Sequence, residues 1–461
     1  MSSSKNNISD ILAHFIAEQN FEKLDSRLVN HIKYSVLDCI GVALAGVYLM
    51  EFPKALRQMV RGMAGRQESS VFTLKRKVPA LNAALANGVF AHSLDMDDGH
   101  RFAALHPGCV IIPASLAAAE ISGCSGKKLI EGIYVGYETM IRIGMCVNPS
   151  SLNRGFHTTG TAGPFGAAAA CAKIFDLCVE AIRGALGMAG LQSCGLLRVN
   201  HEDEGSKVKP LTPGRAAMAG ILSALLARKG FAGPLEIFEG TDGFLRAYSD
   251  RYDTSFLTES LGVRHETLNT YVKFYAACRH CHAPLDAILQ LRDKIKFEPE
   301  ALEFIEVHTY PAAIRLAGIS EVNSPSAAKF SIPFSVSLAL IRGKAGAHDY
   351  THETVSDPRI RRLARKVKLV PSEKWATLYP KQRGASVRIV TEDGRDFFSE
   401  VALPRGEPEN PASTADILKK FYENVRVVME ERHASSICEL VLRLEELSNI
   451  EELMVLLRKG I

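Results

Sequence analysis

Hydrophobic residues along the first half of the chain recur at the spacing of an α-helix. A first helix is predicted near the N-terminus, with a cap at Ser9-Asp10. Its apolar positions are Ile11, Leu12, Phe15 and Ile16. Two later segments, Val110–Ile121 and Gly163–Ile174, are apolar on nearly every side, which is typical of helices buried all round. The pattern from Ile8 to about Arg264 therefore predicts a large helical unit.

The pattern changes after about Leu268, where short runs alternate between apolar and polar residues. Phe304–Thr309 is one such run, and Ala385–Arg395 contains another that ends in an Asp-Gly turn, a hairpin signal. The turn-rich segment Pro404–Pro411 then leads into Ser413–Lys459, which is helical again and which we expect to return to the first unit. The chain is thus predicted to be mainly α, with a large all-helical domain and a smaller α+β domain.

Composition narrows the classes of protein to which the chain can belong. A length of 461 residues favours two domains. The 55 basic and 51 acidic residues are scattered and nearly cancel, so the basic footprint of a nucleic-acid binder is missing and a small-molecule partner is expected. The ten cysteines lie mostly singly in apolar segments, the N-terminus is polar, and no apolar run reaches the ~18 residues of a membrane span. We therefore expect a cytoplasmic protein with reduced thiols.

The densest group of titratable residues lies between Ala91 and His106. It consists of Asp95, Asp97, Asp98, His92, His100 and His106. Such a group is costly to bury and is typical of acid–base chemistry. His106-Pro-Gly108 directly precedes an apolar helix, which places the imidazole at a helix N-terminus that favours anions. The structural alternative is a turn at Asp98-Gly99, a helix cap at Asp95 or Asp97, and a buried structural histidine.

Two further segments carry candidate binding residues. His157, Thr158 and Thr159 precede an apolar helix, where small hydroxyl side chains bind carboxylate or phosphate, or simply cap the helix. Lys207 and Lys209 lie beside a proline-limited turn, from which a lysine can reach inward as a carboxylate clamp or stay solvated.

The fourth segment, Lys273–His282, has the most unusual composition after the first cluster. Its Cys278, His280, Cys281 and His282 are potential zinc ligands, but they are crowded into five residues with no second pair at finger distance, so we predict no metal. In a catalytic interpretation, Arg279 and Lys273 lower the pKa of the Cys278 thiol and bind anions. A helix N-terminus with buried small residues is the structural alternative.

In this order, the four segments resemble those of the MmgE/PrpD family, which includes 2-methylcitrate dehydratases, cis-aconitate decarboxylases and iminodisuccinate epimerases. The resemblance spans essentially the whole chain. Its most specific parts are His92–Asp98 with His106-Pro-Gly108, Lys209-Pro-Leu211 and Lys273–His280. Phe231–Pro234, Ile237–Gly240 and Ala328–Phe334 add support.

The resemblance implies a helical domain built from residues 1–265 and 405–461, an inserted α+β domain of residues 266–404, and a cleft between them. It also implies a homodimer that acts on small di- or tricarboxylates without a metal or an organic cofactor. Asp95, His106, His157, Lys209 and Lys273 match the family's active-site positions. Two positions depart from the decarboxylase branch, since Cys278 replaces a histidine and Phe334 replaces a tyrosine, which puts cis-aconitate decarboxylation in doubt.

The expected chemistry is removal of a proton next to a carboxylate, which needs a base and nearby cations. The predicted catalytic residues are Asp95, His106, Lys209, Lys273 and Cys278, with His106 as the base and Asp95 orienting its ring. The predicted substrate-binding residues are His157, Thr158, Thr159, Arg279 and His282. A hydro-lyase like 2-methylcitrate dehydratase is the first interpretation. The alternatives are an epimerase with Cys278 as the second acid–base group, and a non-catalytic protein that binds small acids.

Overall fold

The computed structural model describes residues 7–200, 203–294 and 301–459. Most of the polar N-terminal segment, residues 1–6, lies outside them. The first part of the chain forms helices joined by short turns. These are α1 (Ile8–Glu18), α2 (Ser26–Leu49), α3 (Glu51–Gly62), α4 (Ala80–His92), α5 (Gly108–Ser122), α6 (Gly126–Val147), α7 (Ser150–Asn153), α8 (Thr158–Ile174), α9 (Val179–Gly190), α10 (Asp203–Val208), α11 (Leu211–Arg228), α12 (Phe244–Tyr248) and α13 (Ser255–Thr258).

The apolar helices behave as their composition predicts. Every residue of α8 is buried, and α5 is buried from Gly108 to Ala119, which confirms the prediction of helices enclosed on all sides. The cap of α1 was predicted wrongly. The Asn7 side chain accepts a hydrogen bond from the Asp10 amide, so Ser9 and Asp10 lie inside the first turn.

The second part of the chain is smaller and mixed. Its helices are α14 (His282–Lys294), α15 (Pro311–Ala317), α16 (Pro325–Ala328), α17 (Ile332–Arg342), α18 (His352–Ser356), α19 (Pro358–Arg365) and α20 (Glu373–Leu378).

The strands form two small pairs and one larger sheet. The pairs join β1 (Ser69–Ser70) to β2 (Lys77–Val78) and β3 (Gly99–His100) to β4 (Thr270–Tyr271). The main sheet contains β5 (Leu302–Thr309), β6 (Val367–Pro371), β7 (Ala385–Thr391) and β8 (Asp396–Val401).

The strand order of this sheet is β6-β5-β7-β8. The β5 and β6 strands are parallel, whereas β7 is antiparallel to both β5 and β8. The hairpin predicted within Ala385–Arg395 is therefore confirmed, as is the strand at Phe304–Thr309. The fold is mainly α with a smaller α+β region, as predicted.

Two hydrophobic cores divide the buried residues. The larger core joins the helices α1–α13, except α7 and α10, to three C-terminal helices, α21 (Thr414–Val425), α22 (Glu431–Leu442) and α23 (Glu451–Arg458). The smaller core lies between Ala276 and Val401 and is completed by Val42, Ala45, Leu94 and Met96 from the helical part. The two cores thus meet beside the segment that carries Asp95. The domain boundaries at residues 265 and 404 stay a prediction.

Helix α2 is long and apolar enough to cross a membrane by length and composition alone. However, 78% of its most apolar window is buried inside the protein, as in the central helix of a packed core. Its Asp38 is buried and forms an ion pair with Lys420 of α21. The packing of α21 on α2 thereby accounts for this buried carboxylate.

Candidate active site

The ends of three helices and one short strand pair bring Asp95, His157, Lys209 and Lys273 together. Asp95 lies in the turn between α4 and β3, and Lys273 follows β4, which pairs with β3. Lys209 immediately precedes the Pro210 cap of α11, and His157 caps α8. The two strands approach so closely that a Cβ at Gly99 would lie only 2.4 Å from the Tyr271 hydroxyl, and glycine is therefore required there.

Asp95 is the centre of a buried cluster of lysines. Its Oδ1 lies 2.9 Å from Lys209 Nζ and 3.4 Å from Lys273 Nζ. Lys273 also donates to the Asp95 carbonyl at 2.8 Å. Burial alone would raise the pKa of Asp95, but the two lysines outweigh it and hold the pKa well below its ordinary value. Asp95 is therefore an ionised partner of the lysines, and two ammonium groups share one carboxylate.

The backbone and one aromatic ring hold this cluster in place. Asp95 has φ of +50°, a left-handed conformation that aspartate tolerates better than most residues and that is found at strained functional turns. Lys209 Nζ lies 5.1 Å from the centre of the Phe330 ring, a cation–π distance that fixes the ammonium on its other side.

His106 is not oriented by Asp95, which corrects the expected pairing. Its Nδ1 donates to the carbonyl of Asp98 at 2.7 Å and lies 3.4 Å from Oδ2 of Asp97. The same carboxylate of Asp97 accepts from Nδ1 of His92 at 2.9 Å. The left-handed turn at Asp95 directs the Asp95 carboxylate to the lysines, so that the Asp97 carboxylate faces the imidazoles.

The hydrogen bonds also define the proton positions on His106. A carbonyl can only accept, so Nδ1 carries the proton and Nε2 keeps its lone pair. Burial, helped by Lys273, lowers the pKa of His106 to about 3 against the pull of Asp97. The imidazole is therefore neutral at neutral pH and in the protonation state that a general base requires.

Two more imidazoles line the same wall. The ring of His92 lies 4.9 Å from that of His106 and 6.2 Å from that of His157. Burial lowers the pKa of both His92 and His157, so both are neutral. Nε2 of His92 and Nδ1 of His157 are buried and have no hydrogen-bond partner among the described residues. Unpaired buried nitrogen atoms of this kind are expected where a ligand supplies the missing partner.

Asp98 has a structural role in the turn. Its carboxyl group accepts from the Gly108 amide and from the Tyr137 hydroxyl, both at 2.8 Å, and so ties the turn to the first residue of α5. A Cβ at Gly108 would lie 2.7 Å from Asp98 Oδ1, so this contact requires glycine. Burial raises the pKa of Asp98 to about 7. His100 is also structural, since its Nδ1 accepts from the Ala103 amide at 3.1 Å.

The predicted binding residues divide into two groups. Thr159 lies at the site, where its hydroxyl accepts from the His106 amide at 3.2 Å, whereas Thr158 bonds to Asn148. Arg279 donates to Glu407 through Nε and Nη2 and contacts Nδ1 of His282. The binding roles of Arg279 and His282 stay predictions, but these hydrogen bonds are made within the protein.

Cys278 is half-buried, and its pKa was predicted in the wrong direction. Burial and then the charge of Asp95 raise the pKa of the thiol, and Lys273 and Lys209 do not compensate. Cys278 is therefore a protonated thiol at neutral pH. Its backbone amide donates to the Lys329 carbonyl at 2.8 Å, which attaches this segment to the end of α16. Phe334 lies buried in the smaller core, near the ring of Tyr350.

One group of side chains in the described part of the chain has ligand atoms close enough together to hold a metal ion. It consists of His92, Asp97 and His106, whose ligand atoms lie within 4.8 Å of one another. In this arrangement, however, both Nδ1 atoms act as hydrogen-bond donors, and His92 and Asp97 are at hydrogen-bond rather than ligand-to-ligand distance. The hydrogen-bonded geometry therefore suits acid–base chemistry better than metal ligation, and metal independence stays a prediction.

Comparison with known proteins shows to which family the chain belongs. The MmgE/PrpD N-terminal domain matches residues 10–257, and the MmgE/PrpD C-terminal domain matches residues 275–446. The chain belongs to the MmgE/PrpD family. It is 27% identical to a cis-aconitate decarboxylase of Aspergillus terreus over 99% of this chain and 97% of that protein.

Two more distant relatives show the range of activities in the family. The cis-aconitate decarboxylase of Mus musculus is 26% identical over 98% of this chain and 93% of its own length. A 2-methylcitrate dehydratase of Salmonella typhimurium is 22% identical over 93% of each protein. Full-length similarity therefore extends to both decarboxylases and dehydratases.

Some site residues were missed or misassigned from sequence. Asp97 and His92 were named in the first titratable cluster but not among the predicted catalytic or binding residues, yet they contact His106. Lys329 and Glu407 were not singled out at all. The only sequence signal for Lys329 was its position in the family-like segment Ala328–Phe334, where a lysine stands among apolar residues.

Proposed function

We propose that this protein is a lyase that removes a proton next to a carboxylate of a small polycarboxylate, and more narrowly that it is a hydro-lyase. The observation that carries the proposal is a neutral His106 with an unprotonated Nε2, held near two lysines that share one carboxylate. The names of the relatives, which include both decarboxylases and dehydratases of tricarboxylates, support the same class.

The proposed reaction begins with the substrate carboxylate beside Lys209 and Lys273. His106 Nε2 accepts the proton from the adjacent carbon, and the released electron pair moves onto the carboxylate, where the two ammonium groups stabilise the added charge. Asp97 stabilises the imidazolium that forms. Expulsion of a hydroxyl group from the next carbon then gives the alkene, with the proton for water supplied by an acid in the site.

A second candidate, an epimerase, is favoured by the protonated thiol of Cys278. If this thiol lies on the opposite face of the substrate carbon, it can return a proton to the carbanion instead of to a leaving hydroxyl. The first step and the cations are the same in both reactions. Only the destination of the second proton distinguishes them.

Incubation with a panel of di- and tricarboxylates in deuterated water tests the proposal. An alkene product supports a hydro-lyase, deuterium exchange at the carbon without an alkene supports the epimerase, and release of carbon dioxide indicates decarboxylation. If none of these is seen with any acid that binds, the protein is a binding protein and the proposal is wrong. His106→Ala should abolish the reaction without changing the unfolding temperature or the oligomeric state.

Assembly and location are part of the same proposal. We propose a homodimer in the cytoplasm that works without a metal or cofactor, supported by family membership and by the ten free cysteines. Sedimentation equilibrium of the purified protein and metal analysis of the active enzyme check the first and third points. A monomer that is fully active, or one equivalent of metal that is required for activity, would contradict them.

A further inference from the structure

Lys329 is a buried lysine that the reaction proposed above does not use. It follows α16 and is only 2% exposed. Its Nζ donates to the Ser93 carbonyl at 3.2 Å and contacts Met50 Sδ at 3.6 Å. In the described ranges, no carboxylate oxygen lies within 4.0 Å of this nitrogen. The Lys329 side chain therefore donates to one neutral carbonyl and one thioether. Burial of a cation under these conditions is costly unless another anion completes the site.

The two partners of Lys329 also line a cleft that reaches Pro210, the residue after Lys209. This cleft has a volume of about 580 Å³, and Met50 and Ser93 form part of its wall together with Pro210, Ser326 and Tyr350. Its lining thus comes from both hydrophobic cores. The volume is within the range of pockets that bind small molecules. Lys329 itself is not among the wall residues and is connected to the wall through its contacts with Met50 and Ser93.

A single short segment connects Lys329 to the reacting end of the site. Lys329 donates to the carbonyl of Ser93, whereas Lys273 donates to the carbonyl of Asp95, two residues further on. Two residues of extended chain span at most about 7 Å. The side chains of Lys273 and Lys329 are thus attached to backbone carbonyls two residues apart in one turn.

The electrostatics at Lys329 favour an additional anion. The pKa of Lys329 is lowered to about 7, mainly by burial; Asp95 acts against this shift, whereas the charges of Lys209 and Lys273 add to it. A carboxylate that binds next to Nζ would stabilise the ammonium form.

We propose that Lys329 binds a second, distal carboxylate of the substrate and so selects tricarboxylates over dicarboxylates. The inference rests on the proposed function for the position of the reacting carboxylate at Lys209 and Lys273. Lys329 acts here as a specificity-determining residue and takes no part in the proton transfer.

The test compares Lys329→Met with the wild type in calorimetric binding of two acids that have no hydroxyl group to lose. These are propane-1,2,3-tricarboxylate and succinate. We expect Lys329→Met to weaken binding of the tricarboxylate at least tenfold and binding of succinate less than twofold. Lys368→Met is the matched control, because Lys368 is an exposed lysine on β6 outside the cleft. Equal effects on the two acids, or no effect on either, would overturn the inference.

A second measurement on the wild type does not depend on the folding of a variant. A group with a pKa of about 7 is roughly nine-tenths neutral at pH 8, so binding of the tricarboxylate should take up close to one proton there, and succinate should take up fewer. Titrations in two buffers of different ionisation enthalpy measure this uptake. The same uptake for both acids would contradict a role for Lys329.

The outcome also separates this inference from the proposed function. Binding that depends on Lys329, with no turnover of any hydroxylated acid, would remove the lyase proposal and keep the distal site. Turnover of tricarboxylates and dicarboxylates with equal efficiency by both wild type and Lys329→Met would keep the lyase and remove the distal site.

Discussion

The contact between Asp97 and His106 makes a quantitative prediction for Asp97→Asn. In the reaction His106 becomes an imidazolium, and the carboxylate of Asp97 lies 3.4 Å from its Nδ1. At an effective dielectric constant of about 20, a full pair of charges at this separation is worth about 5 kcal/mol. If about half of the imidazolium charge has developed in the transition state, the carboxylate lowers the barrier by about 2.5 kcal/mol, or roughly 10²-fold in rate.

Asparagine keeps the shape of this side chain and removes its charge. The Nδ1–H bond to the Asp98 carbonyl remains, so His106 should keep its tautomer and its orientation. The expected loss is therefore smaller than in triads where the carboxylate alone fixes the tautomer. Because no cation is removed, we expect kcat to fall about 10²-fold with little change in KM.

The assay is the rate of alkene formation from the best tricarboxylate in the panel, measured for Asp97→Asn and for Asp396→Asn. Asp396 is an exposed residue on β8 and serves as a control for loss of one carboxylate. Thermal unfolding of both variants checks that the fold is retained. If Asp97→Asn retains the wild-type kcat, Asp97 does not assist the base, and the argument from its contact with His106 is refuted.

Three further outcomes are expected from the same geometry. Lys209→Met should destabilise the protein by about 2 kcal/mol, because Asp95 loses its nearer partner, and Asp95→Asn should cost less in that background than in the wild type; additive effects in urea unfolding would contradict this coupling. Cys278→Ser should reduce dehydration by less than about tenfold, since that reaction does not use the thiol, and should damage epimerisation far more, since a hydroxyl is a much weaker acid than a thiol; the two rates measured in deuterated water decide between the reactions. His106 binds a proton near pH 6.5 when unfolded but only near pH 3 when folded, so stability should fall as pH decreases from 6.5, by about 2 kcal/mol at pH 5. His106→Gln should remove this part of the slope, and an unchanged slope in unfolding experiments at several pH values would argue against a buried neutral imidazole.

The elements of this fold were predictable where local composition decides them. Helices such as α5 and α8 are apolar all round, and the Asp-Gly turn that ends β7 has the chemistry of a hairpin. The start of α1 was less predictable because Asn7, Ser9 and Asp10 are all suitable caps and only the geometry of the chain selects among them.

The candidate site was predictable as a set of segments but not as a set of contacts. The order of segments identified Asp95, Lys209 and Lys273, and the structure brings these three together. The division of roles between Asp95 and Asp97 depends on one positive φ angle, which a sequence of alternating residues does not reveal. The direction of the pKa shift of Cys278 depends on burial by residues from distant parts of the chain, so charges close in sequence were a poor guide.

The charges of the site also explain how a neutral imidazole with a low pKa can serve as a base. In the free protein, Lys273 and Lys209 help burial to depress the pKa of His106 to about 3. These are the same cations that the substrate carboxylates are proposed to neutralise. When the anion binds, it screens the lysines from the imidazole, and the proton affinity of His106 must increase. The cations thus bind the substrate first, and once they are neutralised they no longer lower the pKa of the base that must accept the substrate proton. Asp97 remains in place to stabilise the imidazolium. A site without Asp95 would lose this balance, because two uncompensated ammonium groups would hold the anion more tightly but leave the base more strongly suppressed.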